Sequence, residues 1–436
     1  MMEKICILML VNLLFFFKTL GYKYCSDDIP VWHASKNQKH GFFKRRWLQL
    51  EGSIRVSQQQ DHALTTILHA ITGVFVYLAF GASDVSFIAA LLFSFNPINN
   101  QGSVWNSGRS YVLATLGILV SMVFPIIAPV AIILVMHYPI GFCMAGILGI
   151  MFPYMLIFVL LGAGWHFRRV KGLIGNKVEF EMFAEDKRIE WKKIIIVIKT
   201  FSFYTIHALI PIKTTFYHSF MQSMAGSGKE KAYSLDRFFY IGLIISAAFI
   251  WKLFFTPWDL VSFGLVWWVV GLAPFLNAFR ISQEIAERYA YAPLPGLMIV
   301  LATILQPYPI AIAAVLAMYA TKLWFYMDNF QDDYYLVEGS CLNDPSAWFV
   351  WHIRALRRWD VQSHKEAMIL WTMAKMIHPK EFKVLFNLAT MLKIHKQDKE
   401  AAAFMDQAAC NIPKGQEVKS QGLINEWKKG HYQVLI

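Results

Sequence analysis

Charge is the first thing in short supply. Only 16% of the 436 residues are charged, against about 25% in a typical soluble domain. Acid is the scarcer sign, with 29 Asp and Glu against 41 Lys and Arg, a net charge of +12. A chain this poor in charge, 56% hydrophobic and 16% aromatic, is neither disordered nor an ordinary soluble enzyme. The basic residues are scattered, so nucleic acid is not an expected partner. They suit loops that meet anionic lipid headgroups. Cysteine is sparse as well. Cys6, Cys25, Cys143, Cys341 and Cys410 include no CxxC pair and no cluster at zinc spacing, so no disulfide and no zinc module are expected. Gly226-Ser227-Gly228-Lys229-Glu230 lacks both the earlier Gly and the Ser or Thr after Lys that a phosphate-binding loop needs. No HExxH, GxSxG or Asn-x-Ser/Thr sequence occurs.

Apolar runs are what the chain has in quantity, several near the roughly 20 residues a bilayer-spanning helix needs. They lie near residues 5–20, 62–82, 85–95, 110–124, 126–137, 140–165, 194–211, 238–255, 260–279, 293–305 and 310–326, about eleven in all. The third, fifth and tenth are short for an untilted crossing. Short helices can break inside a protein, where neighbours satisfy the freed backbone. The first run holds Asn12 and Lys18 and no A-x-A site, and reads as an uncleaved signal anchor. Residues 166–193 carry eight Lys and Arg, which places that segment in the cytoplasm. The loop 21–61 and everything after the eleventh run then lie outside. Seven Lys and Arg in 21–61 weigh against this orientation; here they are read as headgroup contacts.

Beyond residue 326 the pattern changes. Pro379 and Pro413 are 34 residues apart, and at the same offset Lys365 matches Lys399, Glu366 matches Glu400, and Ala355, Ala367 and Ala374 match Ala389, Ala401 and Ala408. Small residues at helix crossings with a closing Pro every 34 residues are the tetratricopeptide signature. Two repeats are fewer than such arrays usually need, so they are expected to dock on the membrane domain or on a tail helix near 422–430. The expected fold is all-α: a polytopic membrane helix bundle over 1–326, with a first outer loop 21–61, and helical repeats with a tail helix over 327–436.

Four polar segments share the predicted outer side. Asp27 and Asp28 stand in Cys25-Ser26-Asp27-Asp28-Ile29-Pro30. Adjacent carboxylates repel, so one pKa rises, which suits a general base; a solvated turn or helix cap is the plainer account. The amide-rich stretch 96–109 ends in Arg109. Trp105 and Arg109 could hold a lipid phosphate and its sugar, or simply cap and anchor. In 284–293, Glu284 and Arg288 are i,i+4 neighbours, an ordinary salt bridge on a helix, while Arg280, Arg288 and the tyrosines suit an anionic headgroup. His218 follows the seventh run as a base or donor, although a lone His is more often structural. His62 and His69 lie on one helix face and either line the site or pack.

At these residues the chain resembles the membrane-embedded GT-C glycosyltransferases, and among them the transmembrane and tetratricopeptide-repeat O-mannosyltransferase-like family. Asp27-Asp28-Ile29-Pro30 is similar to that family's Asp-Asp-Ile-Pro. His62 to His69 resembles its His-x-x-Asn-x-x-x-His helix, with Thr65 in place of Asn. Trp105, Gly108 and Arg109 fall where the family has Trp, Gly and Arg, and Glu287-Arg288-Tyr289 with Pro293 is similar to its Glu-Arg-Tyr-x-Tyr-x-Pro. Pro211 sits in the equivalent of its Phe-Pro-Leu. Asn96, Asn99 and Gln101 replace two histidines and a glutamate, and Tyr217 replaces an aspartate. Amides keep hydrogen bonding and lose proton transfer.

The resemblance implies inverting transfer of a sugar from a polyprenyl-phosphate donor to an acceptor hydroxyl, a protein Ser or Thr, on the outer or lumenal side. Asp28 is expected as base, with Asp27 as orienter or co-base. Arg109, Arg288 or Arg280 would stabilise the leaving phosphate, and Trp105, Tyr289, Glu287 and His218 would complete the donor site. The lipid-phosphate sugar is a substrate. No cofactor is expected, and one acidic pair is thin for a divalent metal site. The repeats would recruit a protein acceptor or partner. The membrane would be the plasma membrane of a prokaryote or the endoplasmic reticulum of a eukaryote. Two rival readings are an inactive transferase fold kept as a membrane scaffold and a transporter or flippase. The last would want ionisable groups deep in the spans, where only Lys18, Lys199 and Lys252 stand, near span ends.

Overall fold

The computed structural model describes residues 1–36, 41–135, 160, 193–220, 234–278, 285–412 and 416–435. Among the described residues every regular element is a helix and none is a strand. Low charge favours this outcome, because a segment shielded from water must satisfy its own backbone groups. The N-terminal part runs α1 (Met2–Phe15), α2 (Asp28–Lys36), α3 (Phe42–Glu51), α4 (Gln58–Ala79), α5 (Asp84–Phe95), α6 (Asn100–Ser103), α7 (Arg109–Val123) and α8 (Ala128–Val135). It continues with α9 (Lys193–Leu209), α10 (Arg237–Phe255), α11 (Leu260–Leu272), α12 (Leu294–Leu305) and α13 (Pro309–Met327).

Among the described residues, four stretches are long and apolar enough to cross a membrane: Met2–Gly21, Gln58–Ala79, Arg237–Phe255 and Pro309–Phe330. Asp84–Phe95, Leu260–Phe275 and Leu294–Leu305 are apolar but shorter. This is compatible with a membrane protein. The expected run 140–165 and the basic segment 166–193 fall outside the described residues, apart from Leu160 and Lys193. Outward faces agree with a lipid setting. On α10, Ile244, Trp251 and Phe254 are 70%, 62% and 77% exposed, an apolar surface too large for a water-facing helix.

Helix α4 packs against α1, α5 and α7, and α12 packs against α5 and α11. The α11–α12 crossing depends on two glycines. A methyl group on Gly264 would lie 2.5 Å from the Gly296 carbonyl oxygen, and the converse holds. Such close backbone approach is a common device of membrane helix pairs. The polar residues of α1 and the turn after it are explained by neighbours. Asn12 donates to the Leu8 carbonyl at 2.8 Å and to Ser94 Oγ at 3.1 Å. Lys18 pairs with Asp328 at 2.8 Å and lies over the Trp324 ring, tying the end of Met2–Gly21 to α13.

The C-terminal part is α14 (Asp333–Asn343), α15 (Trp348–Asp360), α16 (His364–Ile377), α17 (Phe382–Ile394), α18 (Asp398–Cys410) and α19 (Glu417–Lys428). Helices α15 and α16 form one antiparallel pair and α17 and α18 another; each helix of the second starts 34 residues after its counterpart. The turn residues Gln362 and Lys396 share this offset and both take left-handed backbone, φ 59° and 61°. Ala355, Ala367, Ala374, Ala389, Ala401 and Ala408 are fully buried at the crossings. Helix α19 closes the second pair through Ile424 and Trp427. The chain after it lies along α17, where the Asn387 amide accepts from Leu435 N at 2.7 Å and donates to Leu435 O at 2.9 Å. The cysteines at 6, 25, 341 and 410 are free thiols.

Glu381, just before α17, is only 3% exposed. Burial pushes its carboxyl up to about 7, partly opposed by Lys383. Below the ordinary carboxylate range both folded and unfolded chains hold the proton. Between that range and about 7 the unfolded chain has lost the proton while the folded chain still holds it, so stability falls as pH rises across this window and levels off above it. Glu381→Gln should therefore unfold at higher temperature than wild type at pH 8, by up to about 3 kcal/mol of stability, with the gap closing at pH 4–5. Scanning calorimetry of the solubilised full chain checks this. An equal gap at both pH values would contradict it.

Candidate active site

The loop between Met2–Gly21 and α4 carries two adjacent carboxylates with opposite fates. Ser26 takes left-handed backbone, φ 51°, and its N–H bonds Asp333 Oδ1 at 2.9 Å. That turn points Asp28 inward at the start of α2, where the helix N-terminus favours an anion. Asp28 is fully buried, and its Oδ1 accepts from Arg55 Nη2 and from Ser107 Oγ, each at 2.6 Å. Arg55 also donates to the Gly52 carbonyl at 2.6 Å and to Ser107 Oγ at 2.8 Å. Asp27 is exposed. Partial desolvation raises its pKa, Asp28 adds to the rise, and Arg288 and Arg55 oppose it. The two carboxylates therefore differ in setting: Asp28, the expected base, is bound into the structure, and Asp27, the expected co-base, is the accessible group.

Arg109, expected at the donor phosphate, lies inside the protein. It is fully buried, and its guanidinium is committed to the protein. Nε donates to Thr65 Oγ1 at 3.1 Å, Nη1 to the Gln49 carbonyl, and Nη2 to the Asp61 carbonyl at 2.8 Å and to Asp61 Oδ1 and Asn106 Oδ1, both at 3.3 Å. Asp61 in turn accepts from Tyr24 Oη at 2.6 Å and Val56 N at 3.0 Å. Each of its three nitrogens thus has at least one acceptor inside the protein. Gly108 beside it allows the approach, since a side chain there would collide with the Gln101 carbonyl.

Arg288, also expected at the donor site, has different surroundings. It lies on the short turn Glu287–Ala290. Its Nη1 donates to Gln101 Oε1 at 3.1 Å, and its guanidinium carbon sits 5.4 Å from the Trp105 ring centre and 5.1 Å from the Tyr289 ring centre. Cation–π contacts of this kind hold a cation against the ring faces. Trp105 donates to the Cys25 carbonyl at 3.4 Å, and Tyr289 stacks on Phe275 at 4.2 Å. Arg288, Trp105 and Tyr289 are thus in contact, and Asp27 is near enough for the Arg288 charge to act on it. Arg280 and Glu284 lie outside the described residues.

Glu287 anchors the same turn from beneath. Its Oε1 accepts from Thr215 N at 2.9 Å, His218 Nε2 at 3.2 Å and His207 Nε2 at 3.3 Å; its Oε2 accepts from Asn100 Nδ2. Burial opposes its ionisation, and the two histidines outweigh burial, so its pKa is lowered. Among the described residues, His207, His218 and Glu287 could together hold a metal ion. His218 and Glu287 were expected here; His207 was not, because a single His ending an apolar run carries no signal of its own.

The amides are structural. Asn96 donates to the Ala208 carbonyl at 2.8 Å and Asn99 to the Phe93 carbonyl, while Gln101 bridges Thr215 and Arg288. His69 is satisfied by Tyr291 Oη at 2.7 Å and the Ser94 carbonyl at 3.2 Å, and His62 Nε2 accepts from Asn106 at 3.2 Å. Arg55, Asp61 and Ser107 were not expected; their importance comes from tertiary pairing. Set against protein-family models, curated proteins and solved structures, the chain matches none of them.

The split between the carboxylates is measurable. Asp28→Asn strands the buried Arg55 charge and should cost about 3–5 kcal/mol of stability. Asp27→Asn, at the surface, should change stability by less than about 0.5 kcal/mol. Thermal unfolding of the solubilised full chain distinguishes them; equal losses would refute the division.

Proposed function

We propose that the chain is a GT-C-like membrane glycosyltransferase. It would move a sugar from a polyprenyl-phosphate donor to an acceptor hydroxyl on a protein, at the outer or lumenal face. The observation that carries this reading is the convergence of an accessible carboxylate of raised pKa, Asp27, with a ring-flanked guanidinium, Arg288. Sugar transfer needs that pair. The acceptor hydroxyl is weakly nucleophilic until a base takes its proton, and Asp27 is the proposed base. The new bond forms between the acceptor oxygen and the anomeric carbon as the bond to the lipid phosphate oxygen breaks. Arg288 stabilises the phosphate that leaves. Trp105 and Tyr289 wall the sugar, and Asp28 positions the loop rather than moving protons.

The finer architecture belongs to the same proposal. About eleven spans, including the short apolar helices, would form the bundle, with the N-terminus in the cytoplasm. Helices α15 to α18 would be two tetratricopeptide repeats outside the membrane; the 34-residue helix offset and the buried alanines support this. A second reading, an inactive scaffold, draws on the locked state of Asp28, Arg109, Asn96 and Asn99.

Label transfer from polyprenyl-phosphate sugars by the purified protein tests the choice. Asp27→Asn should lower the rate by about 10²–10⁴-fold, the usual worth of a general base, and Arg288→Gln should lower it comparably. Full transfer by Asp27→Asn would remove the base assignment. No transfer by wild type from any such donor would favour the scaffold.

A further inference from the structure

Glu287 gathers more donors on one oxygen than that oxygen can use. Thr215 N, His218 Nε2 and His207 Nε2 all address Oε1, while a carboxylate oxygen has two lone pairs. The His207, His218 and Glu287 side chains are 7%, 2% and 0% exposed, so water does not share the load. Charge-assisted hydrogen bonds normally close to about 2.7–2.9 Å. These two histidine contacts stay at 3.3 and 3.2 Å. Two ligands of a tetrahedral zinc, each about 2.0–2.1 Å from the metal, lie about 3.3 Å apart. The histidine–glutamate separations match that edge, and the three ligand atoms all lie within 4.8 Å of one another. Beside them, Asn100 gives its Nδ2 to Glu287 Oε2, while its Oδ1 is buried without a hydrogen-bond partner among the described residues.

We propose that His207, His218 and Glu287 form a site for one divalent ion of the zinc class. The ion would take the Nε2 lone pairs of two neutral imidazoles and Oε1 of Glu287, replacing the crowded donors with one charge. Two imidazoles and a single carboxylate suit zinc rather than calcium or magnesium, which draw on oxygen ligands and higher coordination. The ligands come from α9, the segment after it and the Glu287–Ala290 turn. The site would thus fasten the turn that carries Arg288. It stands on its own geometry, whether or not the chain transfers sugar.

The test uses the purified full chain, stripped with a chelator and reloaded with Zn²⁺ alone. Elemental analysis should find about one zinc per chain, and Co²⁺ in its place should give the visible bands of a tetrahedral nitrogen–oxygen site. His207→Gln and His218→Gln should each weaken metal binding by at least about tenfold, since even loss of a ligand's supporting partner costs that much. His395→Gln, at an exposed repeat position, should leave it unchanged. A wild-type chain that takes up no zinc, an octahedral cobalt spectrum, or unchanged binding by both ligand variants would overturn the proposal. The wild-type cobalt spectrum decides the matter if a variant fails to fold.

Discussion

A permanently charged guanidinium fully inside the protein is the constraint on which the site depends. Arg109 cannot give up its proton, so burial is tolerable only if the structure supplies partners. It does so from three directions: the Gln49 carbonyl at the end of α3, Asp61 and Thr65 on α4, and Asn106 in the turn before α7. Those segments cannot move separately without exposing a buried charge. Gly52 makes the approach feasible. Its backbone is left-handed, φ 86°, a conformation any side chain would strain, and it caps α3. Three residues later Arg55 repeats the device with Asp28.

The two clamps match Asp28, Arg55, Asp61 and Arg109 within the protein. Asp27 sits at the surface of the same loop, and Arg288 lies against Trp105, Tyr289 and Gln101. Buried pairs on both sides of the loop fix where Asp27 stands. Glu287 performs the equivalent service under Arg288, tying its turn to α9 and to Asn100.

Much of the helical architecture was legible in the sequence. Residues 85–95, 194–211 and 293–305 correspond to α5, α9 and α12, because apolar runs must become helices when shielded from water. The alanine matches at a 34-residue offset coincide with buried helix crossings. Span count was less legible, since α5 and α12 are apolar but short, and length alone does not say whether a helix crosses. The site was legible as a neighbourhood and not as a set of roles. Arg109 and Arg288 look alike in sequence; only their partners separate them. Asp27 and Asp28 are adjacent, and a left-handed Ser26 decides which one turns inward. Arg55, Asp61 and His207 had no local motif, because each acquires its meaning from a residue at least 27 positions away.

The buried Arg109 clamp holds the loop before α4 as one body with α4 and α7. Hydrogen exchange of the solubilised full chain, wild type beside Arg109→Lys, tests this most directly, because Lys keeps the charge but cannot span the same five acceptors. Amides in 24–36 and 42–66 should lose protection together, while those of α17 and α18 keep theirs. Unchanged protection in the loop, or loosening spread evenly over the whole chain, would contradict it.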